Sequence, residues 1–390
     1  MQLNKTSNSN KLKYSEFLSP QSLRNDMLKS LPNKFWSNPN LKILEPSCGK
    51  GGFLTDIINK LSENLNIKNK YKHIVEKMLV FGDINKKNVD ICRKKLGNYS
   101  LNYFVGDALE ENLSNFDLVV GNPPYSPMGK KETGNTIYQL FIKKALENWI
   151  KNGGYLLFVT PPAWRKPVGD KSKNIGMYDL MTKQNWMKYL EIHNARDGKK
   201  LFDATTRYDW YLIKKTKPKI TIIKDELGIT NKINLKNWPW IPNYDFKLIK
   251  SLLARNTDKT VDVLFSTKYD SDKNIMSKTK SKKFKYVCIH STPQKGITYF
   301  YTSKKIDKKQ PKVIFGNSGI GKAFVNKSGK YCLTEHAIGI IDKEKNLYKI
   351  LKILKSDKMK RILKACLWGN FQIDWRLFTY FKKDFWKEFI

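Results

Sequence analysis

Through the first half of the chain, short apolar runs alternate with longer stretches in which apolar residues recur every three or four positions. That alternation predicts strands joined by crossover helices in a parallel sheet. The runs at 41–45, 78–83, 101–105, 116–121, 154–160, 189–193 and 208–214 read as strands, and 53–61, 86–96, 137–151 and 175–187 have helical spacing. After about Thr216 the pattern turns polar and reaches Asn237-Trp-Pro-Trp-Ile-Pro242, whose prolines suit a connector. The expected organisation is an α/β unit over 1–225 with helices on both faces of its sheet, a connector over 226–242, and a mixed, β-rich unit over 243–390. In the last unit, 286–289 and 312–315 read as strands, 323–341 as a hairpin turning at Ser328-Gly329, and 347–367 as helical. No internal repeat or heptad array appears.

Composition narrows the class. At 390 residues, two self-sufficient domains are the natural division. Cys48, Cys92, Cys288, Cys332 and Cys366 are dispersed with no CxxC pair, so they read as reduced core thiols and not as a zinc cluster or disulfide framework. His73, His193, His290 and His336 lack metal-ligand spacing, which points away from a metal enzyme. The segment MQLNKTSNSNKLKYSEF has no signal-peptide core, and no apolar run is long enough to span a membrane. A soluble, intracellular protein with no membrane partner is expected, from a bacterial cytoplasm or a virus-infected host cell. The 73 Lys and Arg against 35 Asp and Glu leave a net charge of +38, suited to a polyanion such as nucleic acid. An AT-rich genome accounts for part of that excess, since Lys, Asn and Ile are all abundant.

Four strand ends carry candidate chemistry. LEPSCGKGGFL at 44–54 runs from a strand through Gly49, Gly51 and Gly52 into a helix. Such a loop lets the backbone approach a ligand and offers free N–H groups, although it also reads as a plain turn. It is neither GxGxxG nor a GK[ST] phosphate loop. The second strand ends at Gly82-Asp83-Ile84 and the third at Gly106-Asp107-Ala108. Either acid alone would serve as a helix cap; with the glycine loop they outline a pocket for an adenosine, the ribose at the sheet's carboxyl edge. FDLVVGNPPYSP at 116–127 is the most specific string. Its prolines remove two donors and stiffen the backbone, so that the Asn122 side-chain oxygen and the Pro123 carbonyl can accept both hydrogens of a planar amine. That grip withdraws the nitrogen lone pair from conjugation and makes it a nucleophile. Tyr125 would stack on the ring.

With these residues in this order, the chain resembles the TaqI-like N6-adenine DNA methyltransferases, S-adenosylmethionine-dependent amino-methyltransferases of gamma arrangement with an NPPY element. The resemblance implies a Rossmann-like methyltransferase sheet, S-adenosyl-L-methionine as cofactor, and a C-terminal target-recognition domain. It extends over nearly the whole chain, most specifically LEPSCGKGGFL, GNPPY and their order. EFLSP at 16–20 looks like the family's N-terminal cofactor segment with Ser in the usual Thr position, implying Ser19 and Pro20 near the methionine end. By the same comparison Glu45, Ser47 and Gly49 lie beside the cofactor, Asp83 holds the ribose, Ile84 packs on adenine, Asp107 and Ala108 border the adenine amine, and Asn122 touches both ligands. Asn122, Pro123, Pro124 and Tyr125 carry the chemistry. Phe202, in LFDATTRYDWYLIKK, is the candidate second stacking face, the alternative being an ordinary core phenylalanine.

The C-terminal strings KVIFGNSGIGKAFVNKSGKYCLTEHAIGI and FQIDWRLFTYF also look TaqI-like. The loop 317–322 and the basic segment 278–285 are candidate DNA contacts or solvated surface. Asp83 stands where the family often has Glu, and Tyr208-Asp209-Trp210 has no assigned role. The implied activity is site-specific methylation of a flipped adenine in duplex DNA captured between the two domains, by a monomer, in a restriction-modification or viral modification system. With no room for a nuclease ahead of the cofactor segment, cleavage would fall to a separate cognate restriction endonuclease. Alternatives are RNA adenine or protein glutamine-N5 methylation, which share NPPY. N4-cytosine chemistry usually has Ser at position 122, and the C5-cytosine reaction needs a Pro-Cys pair, absent here. A silent DNA-binding protein would not need an intact NPPY.

Overall fold

The computed structural model describes residues 18–126, 136–169, 172–266, 274–304, 309–369 and 372–389. Two compact units divide them: one takes the described residues up to Arg165 with Gly169–Trp238, the other Lys166–Val168 with the described residues from Pro239 onward.

The first unit is built on one nine-stranded sheet. Its strands are β1 (Ile43–Glu45), β2 (Leu79–Asp83), β3 (Asn102–Val105), β4 (Phe116–Gly121), β5 (Ile150–Thr160), β6 (Trp186–His193), β7 (Tyr208–Lys214), β8 (Thr221–Lys224) and β9 (Thr230–Ile233). They lie in the order β3-β2-β1-β4-β5-β7-β6-β8-β9. β1 to β5 are parallel, and β7 runs antiparallel to both its neighbours. Central strands covered on both faces read as continuous apolar runs, which is why Phe116–Gly121 and Tyr208–Lys214 were legible. Strand order reverses between β1 and β4, and the crevice outside the carboxyl ends there is where open α/β sheets bind ligands.

The helices that feed this edge are α1 (Gln21–Lys29), α2 (Gly52–Asn64), α3 (Lys86–Leu96), α4 (Tyr138–Lys144) and α5 (Ala195–Phe202). The Asn85 side chain accepts from Lys87 N to start α3, and Asn194 with Asp197 forms a capping box on α5. Leu23, Met27, Phe53, Ile57, Val89 and Cys92 from these helices bury against Ile43, Phe81 and Leu118 of the sheet.

Several expectations shift. The helix expected at 137–151 stops at Trp149 and that at 175–187 at Gln184, because each ends in a widened π-turn, Ala145–Trp149 and Leu180–Gln184, leading into β5 and β6. Apolar spacing continues through such a turn, so the sequence pattern hides the boundary. Residues 230–233, placed in the connector, form β9 instead; their pattern is too polar to signal a strand.

The second unit holds two four-stranded sheets. Its strands are β10 (Asp262–Leu264), β11 (Met276–Ser277), β12 (Tyr286–Ser291), β13 (Thr298–Thr302), β14 (Lys312–Gly316), β15 (Gly319–Asn326), β16 (Cys332–Leu333) and β17 (Ala337–Ile341). Their orders are β10-β17-β14-β15 and β11-β13-β12-β16. The hairpin expected over 323–341 is not formed. β15 pairs with β14, with Gly316 opposite Gly319 across Asn317-Ser318, while β16 joins the other sheet beside β12. Both Ser328-Gly329 and Asn317-Ser318-Gly319 look like turns, and only the sheets choose between them. The helical stretch 347–367 divides into Glu344–Lys355 and Asp357–Ala365, because the Ser356 side chain caps the second by accepting from Met359 N. Cys288 and Cys332 are not free thiols but a disulfide, brought side by side by the parallel pairing of β12 and β16. Their 44-residue separation carries no local signal. No helix among the described residues is long and apolar enough to cross a membrane.

Candidate active site

Glu45, Asp83 and Gly121 end β1, β2 and β4 at one edge of the sheet, with β3 alongside. The loop after β1 turns on Gly49 and Gly51, both in the left-handed region with φ of 50° and 76°. Cys48 N donates to the Gly82 carbonyl at 2.9 Å and Gly49 N to Asp83 Oδ2 at 2.9 Å, so the loop is sewn to the end of β2. Asp83 Oδ1 accepts from Asn85 N at 2.8 Å. Burial nevertheless holds the Asp83 carboxyl above its usual range, against those two amides and Asn88. Ile84, the next residue, is 47% exposed, an uncovered apolar side chain at the carboxyl end of β2. Gly106 N reaches the Asp83 carbonyl at 3.2 Å, and Asp107 caps the turn that follows by accepting from Leu109 N, with Ala108 buried beside it.

Glu45 is 2% exposed, and its Oε2 has no hydrogen-bond partner among the described residues. Burial drives its carboxyl well upward, Cys92 and Asp83 add to that, and the Arg24 guanidinium pulls the other way. Arg24 was not foreseen from the sequence. It donates to the Ser19 carbonyl and to Asp56 Oδ2, the latter at 2.6 Å, tying Ser19-Pro20 to α2. A Cβ on Gly52 would stand 2.9 Å from that guanidinium, so the glycine makes room for it. Of the EFLSP segment, Glu16 and Phe17 lie outside the described residues. The Ser19 hydroxyl, like Glu45 Oε2, has no partner among the described residues.

The second half of the site begins where β4 ends. Ser47 Oγ contacts the Asn122 carbonyl at 3.4 Å, which joins the glycine loop to the Asn122-Pro-Pro-Tyr125 turn. An added Cβ on Gly121 would sit 3.8 Å from Glu45 Cγ and 3.9 Å from Ser47 Oγ, so these residues share one corner. The Tyr125 hydroxyl and the Asn122 side chain share a hydrogen bond, and burial raises the phenol above its usual range. The Tyr125 carbonyl accepts from Ile137 N at 3.1 Å, anchoring the turn to the start of α4.

Phe202 lies at the end of α5. It is 6% exposed, in the apolar core, with its ring edge-to-face on Tyr208 at 5.1 Å. Tyr208 stacks flat on His193 at 4.4 Å. Asp209, unassigned from sequence, is a fully buried partner of Arg165. No spacing rule links residues 44 apart, so tertiary structure alone reveals that pair.

Residues 41–202 match the model of the Eco57I restriction-modification methylase family. The matched segment holds the glycine loop, the carboxylates and the Asn122 turn together. Modification methylase CviBIII of Paramecium bursaria Chlorella virus NC1A is 28% identical over 159 residues, covering 39% of this chain and 38% of that protein. The chain thus spans well under half the length of that relative. Among solved structures, the Type IIL restriction-modification enzyme MmeI in complex with DNA superposes with a TM-score of 0.57 at 10% identity, over 96% of this chain and 69% of that one. A nuclease-deletion mutant of the Type ISP restriction-modification enzyme LlaGI, in complex with a DNA substrate mimic, gives 0.56 at 11% identity, over 92% and 52%. Both likenesses concern the fold, a mixed α/β sheet with additional β-rich regions.

Proposed function

We propose that this chain is a site-specific DNA adenine-N6 methyltransferase, using S-adenosylmethionine on an adenine flipped from duplex DNA. The observation that carries the reading is the joining of the Asn122-Pro-Pro-Tyr125 turn to the glycine loop through Ser47 and Gly121. The family match over 41–202 and the viral modification methylase support it.

The residues present fit S-adenosylmethionine. Glu45 Oε2 and the Ser19 hydroxyl are buried acceptors awaiting donors, Ile84 offers an apolar face, and the loop glycines leave room for close approach. When bound, that group supplies a methyl already activated on a sulfonium. Ser19, Pro20, Glu45, Ser47 and Gly49 would line its methionine side, Asp83 its ribose, and Ile84, Asp107 and Ala108 its adenine.

The Asn122 side-chain oxygen and the Pro123 carbonyl accept the two amine hydrogens of the target base, and the nitrogen lone pair turns toward the methyl. Pro124 keeps the turn rigid. Tyr125 gives one stacking face. Phe202 is the candidate for the second. The amine becomes strongly acidic once methylated and sheds its proton without a dedicated base. The net charge of +38 suits a DNA partner held with strong salt dependence. The chain would act as a monomer on DNA.

The test offers radiolabelled S-adenosylmethionine with duplex DNA, ribosomal RNA and release factor in parallel. Label should enter DNA, on the N6 of adenine. Asn122→Ala should lower that labelling roughly 100- to 1,000-fold while S-adenosylmethionine affinity changes little. Label entering only RNA or protein, or equal labelling by the variant, overturns the proposal.

A further inference from the structure

Arg165 and Asp209 are both 0% exposed, joined by Nε to Oδ2 at 2.6 Å and Nη2 to Oδ1 at 3.0 Å. Arg165 closes the turn Pro162–Arg165 directly after β5, and Asp209 stands on β7 opposite Thr160, the last residue of β5. Removing two charges from water costs several kcal/mol per ion, and apolar residues of similar volume often stabilise a core as well or better. Stability alone is therefore a poor reason for this pair, and its surroundings suggest another.

Those surroundings are aromatic and lie at the paired ends of β5 and β7. Trp164, beside Arg165, packs edge-to-face on Tyr211 at 5.6 Å, and Thr160 Oγ1 donates to the Tyr211 hydroxyl at 3.3 Å. β5 runs parallel beside β4 with Phe158 opposite Gly121, so the end of β5 that leads to Arg165 neighbours the end of β4 that leads into the Asn122–Tyr125 turn. Tyr125 in turn bonds to the Asn122 side chain. The ion pair thus fixes the strand end next to the one that holds the two residues proposed to stack on the base and grip its amine.

We propose that the Arg165–Asp209 pair positions the Asn122–Tyr125 turn, clamping the segment after β5 to β7 so that the neighbouring end of β4 is rigid and the Asn122 carboxamide keeps one orientation. Neither residue touches substrate; both act through the end of β5. This inference rests on the methyltransferase reading above.

Its test uses the full chain, S-adenosylmethionine and duplex DNA. If the wild type labels no DNA, the methyltransferase reading fails and the inference falls with it. Given wild-type turnover, Arg165→Met with Asp209→Leu replaces the pair by apolar side chains. The double variant should keep its melting temperature and its KM for S-adenosylmethionine within about twofold, yet lose about 100-fold in kcat, as expected when reacting groups are misplaced. A folded double variant within about threefold of wild-type kcat overturns the positioning role and leaves the methyltransferase reading intact. Should it not fold, Arg165→Lys decides, since lysine keeps the charge but not the two-bond fork. A loss of about tenfold in kcat at unchanged KM supports the proposal; wild-type kcat, or equal losses in turnover and cofactor binding, overturns it.

Discussion

Substituting Gly51 separates two physical constraints on the cofactor loop. Gly51 precedes α2 at φ 76° and ψ 30°, and a Cβ there would lie 2.9 Å from Cys92 Sγ. The left-handed conformation costs a side-chain-bearing residue roughly 1–2 kcal/mol. Overlap with a packed neighbour adds about 1–3 kcal/mol. Cys92 has little room to retreat: it is buried on α3, its sulfur 3.5 Å from the Gly49 carbonyl and 3.7 Å from Cys48 Sγ. Gly51→Ala should therefore destabilise the first unit by about 3 kcal/mol. Cys92→Ala alone leaves a small cavity costing about 1 kcal/mol. In the double variant the nearest Cys92 atom would be its Cβ, at 3.9 Å, so the overlap vanishes while the backbone strain stays. The double variant should then be about 1–2 kcal/mol more stable than the sum of the singles predicts. Urea unfolding followed by circular dichroism, with slopes compared across the four proteins, measures this coupling. Additivity within about 0.5 kcal/mol would refute the claim that Cys92 limits the space at Gly51.

Other predictions follow from the buried acids. Glu45→Gln should weaken S-adenosylmethionine binding about tenfold by calorimetry, through loss of a buried carboxyl acceptor. Because burial raises the Glu45 carboxyl, its stabilising contribution is present at low pH and lost as pH rises through the folded value. The same variant should hence be more stable than wild type at neutral pH, with the gain shrinking on acidification; a constant difference contradicts the assignment. For Glu191 burial pushes upward, yet His193, Lys224 and Tyr189 together outweigh it and bring the carboxyl from 4.5 down to about 2. Its stabilisation is present above 4.5 and lost as pH falls toward 2, so the gap in urea midpoint between wild type and Glu191→Gln should close over that window. A pH-independent gap would show that the hydrogen bonds, and not the charge, matter.

What the sequence determined by itself is local and contiguous. A strand ending in a glycine loop, a strand ending in Asp83, and a strand running into Asn122-Pro-Pro-Tyr125 each carry their signal within a dozen residues, because backbone freedom, donor removal and apolar periodicity are properties of neighbouring positions. The parallel α/β class followed from their alternation. The Cys288–Cys332 disulfide, the Arg24 link to Ser19 and Asp56, the Cys92 contact and the Arg165–Asp209 pair join residues distant in the chain, with no recurring spacing to betray them. The choice between two turn-like strings in the second unit, and the burial of Phe202 among core aromatics, likewise depended on which strands found each other. Periodicity records which face of an element is apolar; what that face meets is decided only when sheets assemble, and there the pairing energy of whole strands outweighs the preference of any single turn.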